Sequence, residues 1–267
     1  MKPIFSLPIL FVLIKLSSCT KVIDLNLNDA EKKYVIEATI TNQPGGCKVL
    51  ISRSKNFDDD NQFQGISGAI VTIADNTGNS TFLTEMSSGI YEAPALVATA
   101  GTTYNMQVRI DTTAFTATAK MPKQVSFDTL FVSDEILFGG HWKLANIEFN
   151  DPPGKGDGYL LIQKMNGVKT KQIYVFNDDL TDGNHQTIKL YLRPGTEDED
   201  KIKTGDTLQV DMMCIEPAIY KYWYSADQSA TGSNQSASPS NPVTNISGGA
   251  LGYFSAQTTD TKTIIVP

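Results

Sequence analysis

Histidine is scarce in this chain, with two in 267 residues, alongside three cysteines and two tryptophans. So few imidazoles and thiols leave little from which to build a zinc centre. His141 follows Gly139-Gly140 and His185 follows a turn, and neither sits in metal-ligand spacing of the H-E-x-x-H kind. A G-x-S-x-G nucleophile elbow is missing as well. A Ser-His-Asp arrangement is assembled only by the fold, so spacing alone leaves a hydrolase open as the least supported reading. Basic residues are outnumbered, 22 Lys and Arg against 29 Asp and Glu, for a net charge of -7 and a pI near 4.9. An acidic chain without a basic stripe is a poor match for nucleic acid. No stretch reaches the roughly 18 apolar residues of a transmembrane helix, and long runs of helical period are also lacking. No cofactor motif and no metal set stands out.

What is present begins at the N-terminus. Lys2 precedes an apolar run, Ile4 to Ile14, of signal-peptide length. The run ends in Leu16-Ser17-Ser18-Cys19, which looks like the lipobox of a bacterial lipoprotein. The expectation is cleavage between Ser18 and Cys19, with lipid on Cys19; plain secretory cleavage is the alternative. Loss of residues 1–18 removes Lys2 and Lys15 and no acid, leaving 20 basic and 29 acidic residues, a net of -9. Anionic headgroups would not hold such a chain, so attachment must come from the lipid. Thr20 stands where an inner-membrane retention signal usually has Asp, which favours the outer membrane; the face is not specified.

Hydrophobic residues make up 40% of the chain and charged residues 19%, enough for a folded core. Residues 19–32 read as a tether. Period-2 alternation follows: Tyr34, Ile36, Ala38 and Ile40; Tyr104, Met106, Val108 and Ile110; Phe115, Ala117, Ala119 and Met121. Turn chemistry separates them at Gln43-Pro44-Gly45-Gly46, Asp75-Asn76-Thr77-Gly78 and Ser88-Gly89. The pattern predicts an all-β protein of two β-sandwich domains in tandem, an Ig-like one over 33–122 and a β-rich one over 123–267; the first also resembles transthyretin-like sandwich modules. Expected strands in the second are Leu144–Phe149, Tyr159–Lys164, Gln172–Phe176, Thr187–Arg193, Thr207–Ile215, Ala250–Ala256 and Thr263–Val266. One helix is expected over 217–230, opened by Pro217 where a missing N–H is harmless. Its stripe is Ile219, Tyr222, Trp223, Ala226 and Ala230. Cys47 and Cys214 lie among alternating apolar residues and read as buried thiols. A disulfide is permitted outside the cytoplasm, but the two fall in different regions.

Several stretches together resemble a Bacteroidetes outer-membrane lipoprotein family defined only as a domain of unknown function. They are Tyr34-Val35-Ile36-Glu37-Ala38-Thr39-Ile40-Thr41, Ser52-Arg53-Ser54-Lys55-Asn56-Phe57, Ile66-Ser67-Gly68-Ala69-Ile70-Val71, Asp151-Pro152-Pro153-Gly154, Tyr220-Lys221-Tyr222-Trp223-Tyr224 and Asn241 through Phe254. Members are often encoded beside TonB-dependent receptors. The resemblance therefore implies a non-enzymatic accessory or capture subunit of a nutrient transporter. A stand-alone carbohydrate-binding or adhesive surface module is the alternative.

Candidate sites are few. Tyr220 and Tyr224 lie about 100° round the helix from its apolar stripe and could dock a sugar or a partner. Gly248-Gly249-Ala250-Leu251-Gly252 lacks the Lys-Ser/Thr of a phosphate loop. It reads as close backbone approach at a strand start, with docking at Gly248, Gly249 and Tyr253 as the alternative. Asp58-Asp59-Asp60-Asn61 offers oxygens from one segment only, fewer than calcium needs. Asp178 through Asn184 has the outline of a calcium loop but places Leu180 at a ligand position. Asp182-Gly183 there reads as a hairpin turn. Asp111-Thr112-Thr113, Asp128-Thr129-Leu130 and Asp206-Thr207-Leu208 match a short O-glycosylation pattern of such envelope proteins.

Overall fold

The computed structural model describes residues 31–55, 62–137, 139–191, 201–231 and 240–267. The lipobox with Ser18 and Cys19, and the acidic run Asp58–Asn61, lie outside the described residues. Lys32–Pro267 forms one compact unit. The protein is all-β, built of sandwiched sheets with one short helix.

Alternating apolar side chains produce the first set of strands. They are β1 (Tyr34–Thr41), β2 (Lys48–Arg53), β3 (Ile70–Asp75), β4 (Ser80–Phe82), β5 (Thr84–Ser87), β6 (Ile90–Glu92), β7 (Thr103–Ile110) and β8 (Thr113–Lys120). A second set follows: β9 (Phe127–Leu137), β10 (Gly140–Asn150), β11 (Gly158–Met165), β12 (Val168–Asn177), β13 (His185–Leu190) and β14 (Thr207–Ile215). Helix α1 (Pro217–Thr231) and the long strand β15 (Leu251–Ile265) complete the described elements.

Eight of these strands form one continuous sheet in the order β12-β11-β14-β15-β1-β2-β6-β5. A four-stranded sheet, β4-β3-β7-β8, closes the first core over Ile36, Val49, Ile73, Met106 and Phe254. A three-stranded sheet, β13-β10-β9, closes the second over Phe149, Tyr159, Leu161, Val210 and Met212. On the other face of the large sheet, Leu160, Met213 and Ile215 meet Ile219 of α1, because successive strand residues point to opposite faces.

The division expected at 122/123 does not separate the sheets. The first half of β15 runs parallel to β1, Val35 opposite Leu251 through Thr41 opposite Gln257. Its second half runs antiparallel to β14, from Cys214 opposite Thr258 to Thr207 opposite Ile265. Ala250, Phe254 and Ala256 therefore belong to the first core and Val266 to the second. The two strands expected at 250–256 and 263–266 are one, because edge-to-edge pairing with β14 carries the polar run Thr258 to Thr263 in extended form. The chain changes sheets at buried Leu83: β4 pairs with β3 and β5 pairs with β6. Cys47 and Cys214 are buried free thiols; burial pushes the Cys47 thiol up to about 11, consistent with a small hydrophobe.

Candidate functional site

Two loops rich in Asp, Pro and Gly meet at one end of the second core. The first joins β10 to β11 as Asp151-Pro152-Pro153-Gly154-Lys155-Gly156-Asp157. Its prolines cannot donate and hold the chain extended, while Gly154 and Gly156 take φ of 123° and 114° that other residues avoid. The second runs from Asp178 to Asn184 between β12 and β13. These two strands lie in different sheets, so Asp182-Gly183 turns a sheet-to-sheet crossing rather than a hairpin.

The loops are laced by their own carboxylates. Asp151, which is buried, accepts from the Tyr159 hydroxyl and, at 2.9 Å, from Gly183 N–H. Buried Asp178 accepts from Gly156 N–H at 3.0 Å on each oxygen, and Asp182 from Gly154 N–H at 2.6 Å. Backbone bonds add to this, Asp151 N–H to Asn184 O at 3.1 Å and Asp178 N–H to Asp157 O at 3.1 Å. One carboxylate oxygen from each of Asp151, Asp178 and Asp182 lies within 4.8 Å of the others, so among the described residues these three are the side chains that could hold a hard cation. Calcium takes six to eight oxygens, and N–H and O–H donors already occupy much of this set.

Asp157 stands beside this cluster, half-buried. Burial comes first, and then the charges of Asp151, Asp178 and Asp182, in holding its carboxyl above the usual range. The folded chain thus binds that proton more tightly than the unfolded chain does. Stability is lost as pH rises through the carboxylate range and is not regained at neutral pH. Asp157→Asn is accordingly expected to raise the thermal midpoint at pH 7 and to leave it unchanged near pH 3. Melting curves at both values would show this, and an equal gain at both would count against the clustering described.

The same loop forms one wall of a cleft of about 490 Å³. Its other lining comes from Gly101, from the end of β8 and the segment after it, Lys120 to Lys123 with Val125, and from Ile215-Glu216-Pro217 between β14 and α1. The cleft thus sits where the chain passes from the first core to the second. Glu216 begins α1 by accepting from Ile219 N–H and Tyr220 N–H on its carbonyl, at 3.0 and 3.1 Å. Its side chain turns away, and Oε2 accepts from Lys120 N–H at 3.2 Å. Burial holds this carboxyl above the usual range.

The residues singled out by sequence do not gather into one site. Tyr220 and Tyr224 stack at 5.7 Å, and Tyr224 is 49% exposed. Tyr253 is buried beneath α1, 4.7 Å from Tyr222 and 5.4 Å from Trp223 between ring centres. Burial, with Glu37 nearby, pushes the Tyr222 phenol up to about 12. Gly248 lies against β8 instead: a Cβ there would stand 2.6 Å from the Ala114 carbonyl oxygen, whereas at Gly249 it would meet nothing within 4 Å. His185 Nδ1 is 3.2 Å from Asn150 Oδ1. His141 lies at the opposite end of β10, about 30 Å away at ~3.3 Å per residue. The two histidines therefore share no site. Sequence reading missed the convergence of Asp151, Asp157, Asp178 and Asp182; the only signal was the pairing of Asp with Gly or Pro in two separate loops.

Residues 20–263 match the family described as Domain of unknown function (DUF4249). No curated protein matches the chain.

Proposed function

The chain belongs to the DUF4249 family, and we propose that it is a lipid-anchored outer-membrane lipoprotein, a non-enzymatic accessory or capture subunit of a TonB-dependent nutrient transporter. The observation that carries this reading is Leu16-Ser17-Ser18-Cys19 closing the apolar run Ile4 to Ile14. A lipid on Cys19 and a tether over 19–32 would hold a rigid β-unit close to the membrane surface, where a transporter partner also sits. Among the described residues no helix is long and apolar enough to cross a membrane, so in this reading the lipid supplies the attachment. The partner class comes from the resemblance to lipoproteins encoded beside such receptors.

The test is affinity purification of a tagged copy, at native expression level, from outer membranes solubilised in mild detergent. A TonB-dependent receptor is expected in stoichiometric amount, and recovery of the protein alone would overturn the transporter assignment. A second reading, a carbohydrate-binding surface module, is favoured by one feature. The stacked pair Tyr220 and Tyr224 leaves one ring half exposed on α1, a platform of the kind on which sugar rings and partner side chains anchor.

A further inference from the structure

Glu216 Oε1 is buried and no donor reaches it, although its companion oxygen is bonded to Lys120 N–H. Buried polar atoms are rarely left in that state without a reason. The residue as a whole is half-buried and lines the 490 Å³ cleft, as does Asp157. Oε1 has no exposed surface as it stands, so a ligand would reach it only by a small turn of the side chain, whose terminal torsion is soft.

The surroundings define what would satisfy it. The volume falls within the range of small-molecule sites, and such sites favour the junction of two cores. Met121, Pro122, Val125, Pro152, Ile215 and Pro217 give largely apolar walls. Asp151, Asp178 and Asp182 cluster near enough to Asp157 for their charges to act on it. Low-dielectric walls focus such a field into the cleft. Lys120 and Lys123 also line it; among the described residues neither forms an ion pair with Asp157 or Glu216.

We propose that this cleft binds an organic cation, a small molecule or short peptide carrying a primary ammonium or guanidinium group, with Asp157 and Glu216 as its counter-charges. The N–H donors of that group supply the bond Glu216 Oε1 lacks. Its methylene stem lies along the proline and methionine walls, as the stems of Lys and Arg do on apolar surfaces. A bare divalent ion fits less well, because the walls offer few oxygens. The proposal stands apart from membrane anchoring and from any transporter, since binding is read on the isolated protein.

Calorimetric titration of the purified full chain in detergent tests it, with agmatine, lysinamide and a lysine-containing tripeptide as probes. Glucose serves as the neutral control and calcium chloride as the inorganic one. At least one cationic probe is expected to saturate at one per chain, with glucose silent. Glu216→Gln and Asp157→Asn are each expected to weaken it about tenfold or more, a change of roughly 1.4 kcal/mol, without lowering the thermal midpoint. A tripeptide that binds more tightly than the free amines assigns the cleft to peptides, and the reverse assigns it to small amines. The proposal is overturned if no cationic probe saturates by about 10 mM. Binding that survives both substitutions overturns it too, as does calcium saturating the site and excluding every amine.

Discussion

Gly252→Ala is expected to destabilise the fold by more than about 3 kcal/mol. Gly252 takes a φ of 98°, a region that side-chain-bearing residues enter at a cost of roughly 1–3 kcal/mol. The larger cost is steric. A Cβ there would stand 2.0 Å from the carbonyl oxygen of Ile36 and 2.7 Å from its carbonyl carbon. Those are backbone atoms of β1 at the point where Ile36 and Gly252 pair, and no rotamer change can move them. Relief requires β1 and β15 to part, which opens the first core around Ile36 and Phe254, both fully buried. Together the terms exceed about 3 kcal/mol against a typical total of roughly 5–15. Gly249→Ala is the matched comparison. Its φ of 89° is similar, yet an added Cβ meets nothing within 4 Å, so only the conformational cost of about 1 kcal/mol remains. Denaturant midpoints of both variants would check the order, and equal midpoints would show that the parallel pairing is not as described.

Cys19→Ala is expected to move nearly all of the protein from the membrane fraction to the soluble fraction. In the lipoprotein reading the cysteine carries a thioether-linked diacylglycerol and an N-acyl chain. Each buried methylene contributes about 0.8 kcal/mol, and two or more chains give stable anchoring where one alone is marginal. Nothing else would compensate. The residues after Ser18 carry a net charge of -9, which anionic headgroups repel rather than attract. The all-β unit begins at Tyr34, well beyond the substitution, so the released protein should keep its circular dichroism spectrum and thermal midpoint. Fractionation with mass spectrometry of the N-terminal peptide checks both points. A variant that stays with the membrane, still folded, would overturn the anchor and with it the first premise of the transporter reading.

The elements most legible in sequence were those with one face buried and one wet. β7 and β8 alternate cleanly between buried and exposed positions, and β14 spans the residues 207–215 that alternation marks. The helix over 217–230 emerged one residue longer, its start fixed by Pro217. β9 was missed because its burial is irregular after Leu130, with several half-exposed positions where alternation would show contrast. β15 was read as two strands because Thr258-Thr259-Asp260-Thr261-Lys262-Thr263 has no apolar period. Its extended form is imposed by β14 alongside it, a partner that spacing cannot reveal. The acidic cluster was illegible for a related reason: its carboxylates come from loops about 25 residues apart, joined by bonds across the gap such as those donated by Gly183, Gly154 and Gly156.

The position of β15 between β14 and β1 also has a consequence for the order in which the chain can fold. Contacts between residues 35–41 and 251–257 are separated by almost the whole described chain, and closing such distant pairs slows folding. Until the last segment arrives, the sheet exists as two unjoined parts, and β1 presents an open edge to any other strand. A chain emerging N-terminus first therefore cannot complete its first core ahead of its second, as independent domains do. In the lipoprotein reading, where the chain would cross a membrane before it folds, that delay would keep it threadable. A truncation before residue 257 would leave that edge of β1 unpaired, and is expected to aggregate rather than yield a smaller folded domain.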